Sequence, residues 1–193
     1  MVLQIFLYQK KARAIFLLFF LCLIFIAIVF SLYYANLGGF TGNSGALSKI
    51  GLTYPVLFII WGTITCIALF FNLIVGYMKT KYKFYIPLLI IAFIGMVLTV
   101  TNDFDYSQKS EYLLHCIGSM TFSIVMGITV FLLFLLSKNY RLTIISALIL
   151  TGDLICLIIF KETAIIELTP IFAGYILLGI HNTRRERKAV EIK

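Results

Sequence analysis

Asp153 sits inside an apolar run that otherwise reads as a membrane-spanning helix, and His115, Asp103, Asp105 and Glu167 fall toward one end of the same set of runs. A charged side chain in hydrocarbon costs about 2.5–3.5 kcal/mol on insertion scales, so each such group needs a partner, a cavity or neutralisation. His115 has the chemistry of a general base, a proton carrier or a metal ligand, paired with Asp103 or Asp105. In a nucleophilic arrangement, Ser48 or Ser119 would be the nucleophile, His115 the base, and Asp103 or Asp153 the group that orients it. Asp153 has three readings: a coupling site in a transporter, a ligand for a cation, or the partner of a hydroxyl or histidine in a sealed polar network, of which the network stands first. With Glu167 it is also one of the two acids that a proton-coupled path would use. A metal would need His115, the two aspartates of the 101–111 loop and Asp153 at one depth. His181 falls at the opposite end, so no two-histidine motif supports zinc, and neither a metal nor any cofactor is expected.

Stepping by four from His115 gives Ser119, Ser123 and Gly127, a line of small or polar residues on one helix face. Such a line lets a second helix approach closely, and tight packing is its plainest reading. Familiar catalytic patterns are missing: there is no G-x-S-x-G, no phosphate-binding glycine loop and no H-E-x-x-H. No pair of corresponding broken helices marks an inverted-repeat transporter.

The frame that must position these residues is apolar. The chain has 193 residues, of which 62% are hydrophobic and 12% charged, with a mean hydropathy of +1.05. That balance leaves no room for a separate soluble catalytic domain. Long apolar stretches predict an all-α, six-span membrane bundle in one domain, with spans at Ala14–Tyr34, Tyr54–Met78, Phe84–Val100, Tyr112–Leu136, Leu142–Phe160 and Thr163–Ile180. The first span follows Lys10, Lys11 and Arg13 and reads as a retained signal anchor, because it is long for a cleaved leader and no A-x-A site follows.

Charge orders the loops. Lys10, Lys11, Arg13, Lys79, Lys81, Lys83, Lys138, Arg141, Arg184, Arg185, Arg187, Lys188 and Lys193 fall on one side, against Lys49, Lys109 and Lys161 on the other. The positive-inside rule then places both termini in the cytoplasm of a multi-pass cell-membrane protein. The net charge of +8 is thereby a topology signal and gives no reason to expect nucleic acid. Short inner loops at 79–83 and 137–141 make their flanking spans antiparallel neighbours. The outer side carries more chain: a glycine-rich loop at Ala35–Thr53 and the acidic stretch Thr101–Glu111, where a ligand is expected to approach. Tyrosines near the span ends form an aromatic belt. Cys22, Cys66, Cys116 and Cys156 lie inside apolar segments without CxxC pairing and read as buried structural residues.

Pro170 leaves two readings of the last span. Thr169 would be an N-cap with Pro170 at the first helical position, or the helix would run on through Pro170 with a kink. Either version turns Glu167 away from lipid.

Asn43-Ser44-Gly45-Ala46-Leu47-Ser48-Lys49-Ile50-Gly51 and Leu114-His115-Cys116-Ile117-Gly118-Ser119-Met120-Thr121-Phe122, in that order, resemble an uncharacterised family of bacterial six-helix membrane proteins, distantly similar to the Frag/DRAM/Sfk group. The resemblance implies an outer-leaflet polar site using Ser48, Asp103 and His115. The Gly179-Ile180-His181-Asn182 ending departs from the family's Gly-x-x-Glu-Arg-like turn.

Three functions are compatible with these residues. A noncatalytic protein acting on membrane lipid or a membrane protein partner needs only the bundle and stands first. A lipid hydrolase or lipid-modifying enzyme would use His115 and a serine. A proton-coupled transporter of small solutes would use Asp153 and Glu167. A carboxylate and an imidazole within hydrogen-bond reach in an outward cavity would favour the enzyme, a cavity crossing the midplane would favour transport, and a packed, fully satisfied core would favour the first reading.

Overall fold

The computed structural model describes residues 2–40, 46–160 and 163–183, and these are helical with short connections. The elements are α1 (Val2–Asn36), α2 (Leu47–Thr53), α3 (Pro55–Met78), α4 (Tyr85–Thr101), α5 (Lys109–Leu136), α6 (Tyr140–Phe160) and α7 (Ala164–Thr183). The stretch Leu18–Asn36 of α1, together with α3, α5, α6 and α7, is long and apolar enough to cross a membrane. Helix α4 is also apolar but has 17 residues, at the lower end of a membrane-crossing length. Large apolar side chains face outward along the bundle, among them Phe25, Ile90, Leu148 and Ile158. Such a surface is stable against lipid and not against water, and the chain is an integral multi-pass membrane bundle.

Several expectations are adjusted. The 35–53 segment is not all loop: its second half forms α2, whose Leu47, Ile50 and Gly51 are buried. Helix α7 runs unbroken through Pro170, and the Thr169 hydroxyl donates to Ile165 O at 2.7 Å instead of capping a new helix. Thr163 starts that helix, accepting from Ile166 N at 3.4 Å. Cys22 is exposed on the outer surface of α1, whereas Cys66 is buried and Cys116 and Cys156 are half-buried. The sign assigned to Lys161 and to the tail from Arg184 to Lys193, and the Asn43–Gly45 part of the resemblance, lie outside the described residues.

Helix α3 is the hub and touches α1, α2, α4, α5 and α7. Its tightest polar seam lies at the end remote from Ser48. There the Asn182 amide donates to Asn72 O (2.9 Å) and the Lys79 ammonium to Asn182 O (2.9 Å). The Tyr77 hydroxyl donates to Thr129 O (2.8 Å). These bonds fasten α3 to α7 and α5 where Gly76 lets Leu133 and Asn182 close in.

The α4–α5 contact is different in kind, because it is backbone on backbone. A Cβ built on Gly118 would lie 2.7 Å from both Gly95 O and Thr99 N, and one on Gly95 would lie 2.8 Å from Phe122 N. Only glycine at both positions permits that approach. The seam is made by Gly118, Phe122 and Met126, which are buried. The expected line through Ser119 and Ser123 is the neighbouring face: Ser123 is exposed, and Gly127 receives Leu150 of α6.

Candidate functional site

The end of the bundle opposite the Asn72–Asn182 seam gathers the start of α2, the chain after α4, the first turns of α5 and the first turn of α7. The geometry begins with Leu47. Its carbonyl accepts from the Tyr34 hydroxyl of α1 at 2.9 Å, and its N–H donates to Glu167 Oε2 of α7 at 2.6 Å. The backbone of one residue, in the two peptide units on either side of its Cα, is therefore held by side chains of two other helices. Leu47 and Ile50 are buried in one cluster with Tyr34, Phe58 and Trp61, Ala46 beside them is buried too, and Gly51 lets the Phe58 ring lie close. A seven-residue helix has no stability of its own; this packing and the two clamps hold it.

Clamping Leu47 fixes Ser48, whose Oγ lies 2.8 Å from His115 Nε2. On the other side of the ring, His115 Nδ1 lies 2.9 Å from Asn102 O. A carbonyl can only accept, so Nδ1 carries the hydrogen and Nε2 of the neutral ring is a bare acceptor. The Ser48 hydroxyl must then donate to Nε2. That is a hydroxyl poised to lose its proton to an imidazole whose tautomer is set by a third group.

Both partners of the imidazole are placed by backbone architecture. Asn102 is the extended residue that ends α4, and its own side-chain amide returns to Leu98 O at 2.8 Å. The Gly95–Gly118 crossing draws the last turn of α4 against the first turns of α5, and so brings the Asn102 carbonyl to His115 one turn before Gly118. The ring is 1% exposed. Phe58 stacks on it with centroids 5.9 Å apart, and Phe104 meets it edge-on at 5.1 Å.

Beyond Phe104 a cleft of about 580 Å³ opens between α2 and the chain after α4, lined by Lys49, Leu52, Tyr54, Phe104, Asp105 and Tyr106 among others. Asp105 accepts from the Ser107 hydroxyl at 2.6 Å and from Ser107 N at 2.9 Å. Those two bonds, the hydroxyl first, hold its carboxyl below the usual carboxylate range, so it stays charged into mild acid.

The other expected residues lie apart. Asp103 is exposed and, among the described residues, has no hydrogen-bond partner. It does not orient His115; the Asn102 carbonyl, one residue earlier, does. Ser119 donates to Cys116 O of its own helix at 3.1 Å and does not meet the imidazole. Asp153 is half-buried on α6, the least covered of the long apolar helices. Among the described residues it pairs with nothing, His115 included. Glu167 does reach this end, as an acceptor for Leu47 N–H and not as an acid beside Asp153. Among the described residues no three His, Cys, Asp or Glu side chains are grouped to hold a metal ion. Sequence reasoning missed Tyr34, the Leu47 peptide, the Asn102 carbonyl and the buried Asn72 and Asn182. Of these, only Asn72 left a signal, as an amide within an apolar span.

The Glu167 clamp has a measurable consequence. Glu167→Ala leaves the N–H of buried Leu47 without its carboxyl acceptor, and an orphaned buried donor costs about 1–3 kcal/mol. Thermal unfolding in detergent is expected to shift down accordingly; an unchanged midpoint would show that the clamp holds nothing.

Comparison with family models, curated proteins and solved structures finds no match to this chain.

Proposed function

We propose that this chain is a six-span membrane enzyme that cleaves or transfers an acyl ester at the outer membrane interface, with Ser48 as nucleophile and His115 as general base. One observation carries the reading: Ser48 Oγ lies 2.8 Å from Nε2 of an imidazole whose other nitrogen lies 2.9 Å from Asn102 O. Helix α4 serves as the sixth span, packed along α5. The distribution of Lys and Arg supports a cytoplasmic location for both termini and an outward position for Ser48. The resemblance to bacterial six-helix proteins fits a bacterial plasma membrane.

The chemistry follows from the geometry. Ser48 Oγ attacks the ester carbonyl as its proton passes to His115 Nε2. The ester C–O bond then breaks, the imidazolium returns that proton to the leaving alkoxide, and the acyl group stays on Ser48. Water, deprotonated by the same nitrogen, releases the acid and restores the serine; an alcohol in its place gives acyl transfer. A carbonyl behind the ring fixes its tautomer but, being neutral, steadies the imidazolium less than a carboxylate does. The burial of His115 between Phe58 and Phe104 keeps bulk water off the base.

The direct test is covalent. A fluorophosphonate probe is expected to label the detergent-purified protein at Ser48, located by peptide mass spectrometry, and to leave Ser48→Ala and His115→Gln unlabelled. Folded protein that takes no probe at Ser48 sinks the proposal.

The noncatalytic reading draws on the same bonds. Tyr34, Glu167 and His115 tie four helices and the chain after α4 into a dry cap. Under that reading Ser48→Ala lowers only thermal stability. A proton-coupled transporter would depend on Asp153. The ester-cleaving reading expects Asp153→Leu to insert and to label at the wild-type rate, because no bond connects Asp153 to His115. Loss of labelling in a folded Asp153→Leu protein would return Asp153 to the site.

A further inference from the structure

The cleft beside the Ser48–His115 pair carries two opposite charges that do not neutralise each other. Lys49 is half-buried on its wall and, among the described residues, its ammonium has no partner. Asp105 lines the same space, with both carboxylate oxygens steadied by Ser107 and lone pairs left to accept more bonds. A cavity that spaces a cation and an anion apart is complementary to a ligand that does the same.

The remaining walls describe the rest of that ligand. Tyr54, Phe104 and Tyr106 present aromatic rings, and ring faces attract ammonium groups. Leu37, Ile50 and Leu52 supply apolar surface, and Leu52, Tyr54 and Tyr106 remain substantially exposed, as expected at a membrane–water boundary. The volume of about 580 Å³ falls within the range usual for small-molecule sites. Lys49 directly follows Ser48, and Phe104 touches both the cleft and the His115 ring. A molecule seated here with apolar chains running toward the lipid presents its linking esters near Ser48.

From this arrangement we infer that the cleft binds the headgroup of a zwitterionic phospholipid, its phosphate on Lys49 and its ammonium on Asp105, and that such lipids are the ester substrates. The substrate assignment rests on the acyl-transfer reading; the binding does not. An anionic phospholipid satisfies Lys49 but sets its negative charge against Asp105 without an ammonium to offset it. A free fatty acid leaves Asp105 and the aromatic walls unused. The lowered titration of Asp105 keeps the ammonium subsite charged into mild acid.

Binding is read on Ser48→Ala protein, which cannot turn substrate over, by native mass spectrometry after exchange into mixed micelles of phosphatidylethanolamine and phosphatidylglycerol. Retention of the zwitterionic lipid is expected to exceed that of the anionic lipid by about tenfold. Lys49→Glu and Asp105→Lys, each added separately, should abolish the preference, and both together should recover part of it. Soluble glycerophosphoethanolamine at equal concentration should not displace the lipid. Equal retention of the two lipids, or an unchanged preference in folded Lys49→Glu protein, overturns the assignment. Displacement by the soluble ester overturns a lipid as the ligand. A charge-dependent preference in a protein whose Ser48 takes no phosphonate removes the acyl-transfer reading and leaves the headgroup site. Phosphonate labelling without any charge-dependent preference does the reverse.

Discussion

Replacing Ser48 with alanine is expected to lower phosphonate labelling and ester turnover to background, a loss on the order of 10⁴-fold or more, because nothing else at this site replaces the attacking oxygen. His115→Gln should be nearly as damaging, for a separate reason. Glutamine can bridge Ser48 and Asn102 by hydrogen bonds but has no nitrogen that takes up a proton near neutrality. The two losses should not add, since both remove the same step. The pH profile gives an independent readout. Nε2 accepts the Ser48 proton only while the ring is neutral, so turnover is present above the imidazole's titration and falls as pH drops through it. Protonation would also turn Nε2 into a donor facing the Ser48 oxygen and reverse that hydrogen bond. A flat acid side with full turnover, or a turning-over His115→Gln protein, contradicts the assignment of the base.

The second large effect is expected from a single methyl group. Gly118→Ala places a Cβ 2.7 Å from Gly95 O and from Thr99 N. Those are backbone atoms, which cannot swing aside as a side-chain end does, so α4 and α5 must part. Overpacking of this kind typically costs about 1–3 kcal/mol, and a backbone-to-backbone contact belongs at the upper end. The consequence reaches the chemistry, because the same crossing brings Asn102 O to His115 Nδ1. Labelling of Ser48 should slow together with the fall in thermal midpoint. Gly152→Ala is the control: nothing lies within 4 Å of a Cβ at that position, so stability and labelling should both hold. A Gly118→Ala protein that unfolds and labels like wild type would show that the α4–α5 approach is looser than described.

The chemistry was legible as residue types and not as pairings. Ser48 and His115 stand out as a nucleophile and a base, but the interval of 67 residues between them has no period that brings them together. An aspartate was the natural expectation for the group behind the imidazole, since carboxylates are visible in a sequence. The position is taken by the Asn102 carbonyl, and a main-chain carbonyl exists at every residue, so only folding singles one out. The helical repeat likewise left two faces of α5 open. Ser119, Ser123 and Gly127 form one line of small residues; His115, Gly118 and Phe122 lie on the other. Gly95, on a different helix, selects the second.

Sequence alone determined the helical membrane character of this protein, because hydrocarbon forces long apolar segments to satisfy their backbone internally and each segment carries that requirement within itself. The element that holds the serine is of the opposite kind. Residues 47–53 include Ser48, Lys49 and Gly51 and are too few to form a helix unaided. They are helical because Tyr34 and Glu167, from α1 and α7, grip the Leu47 carbonyl and N–H over buried aromatic rings. Only the tertiary structure decides such a site, since each bond that makes it joins groups that local propensity cannot relate.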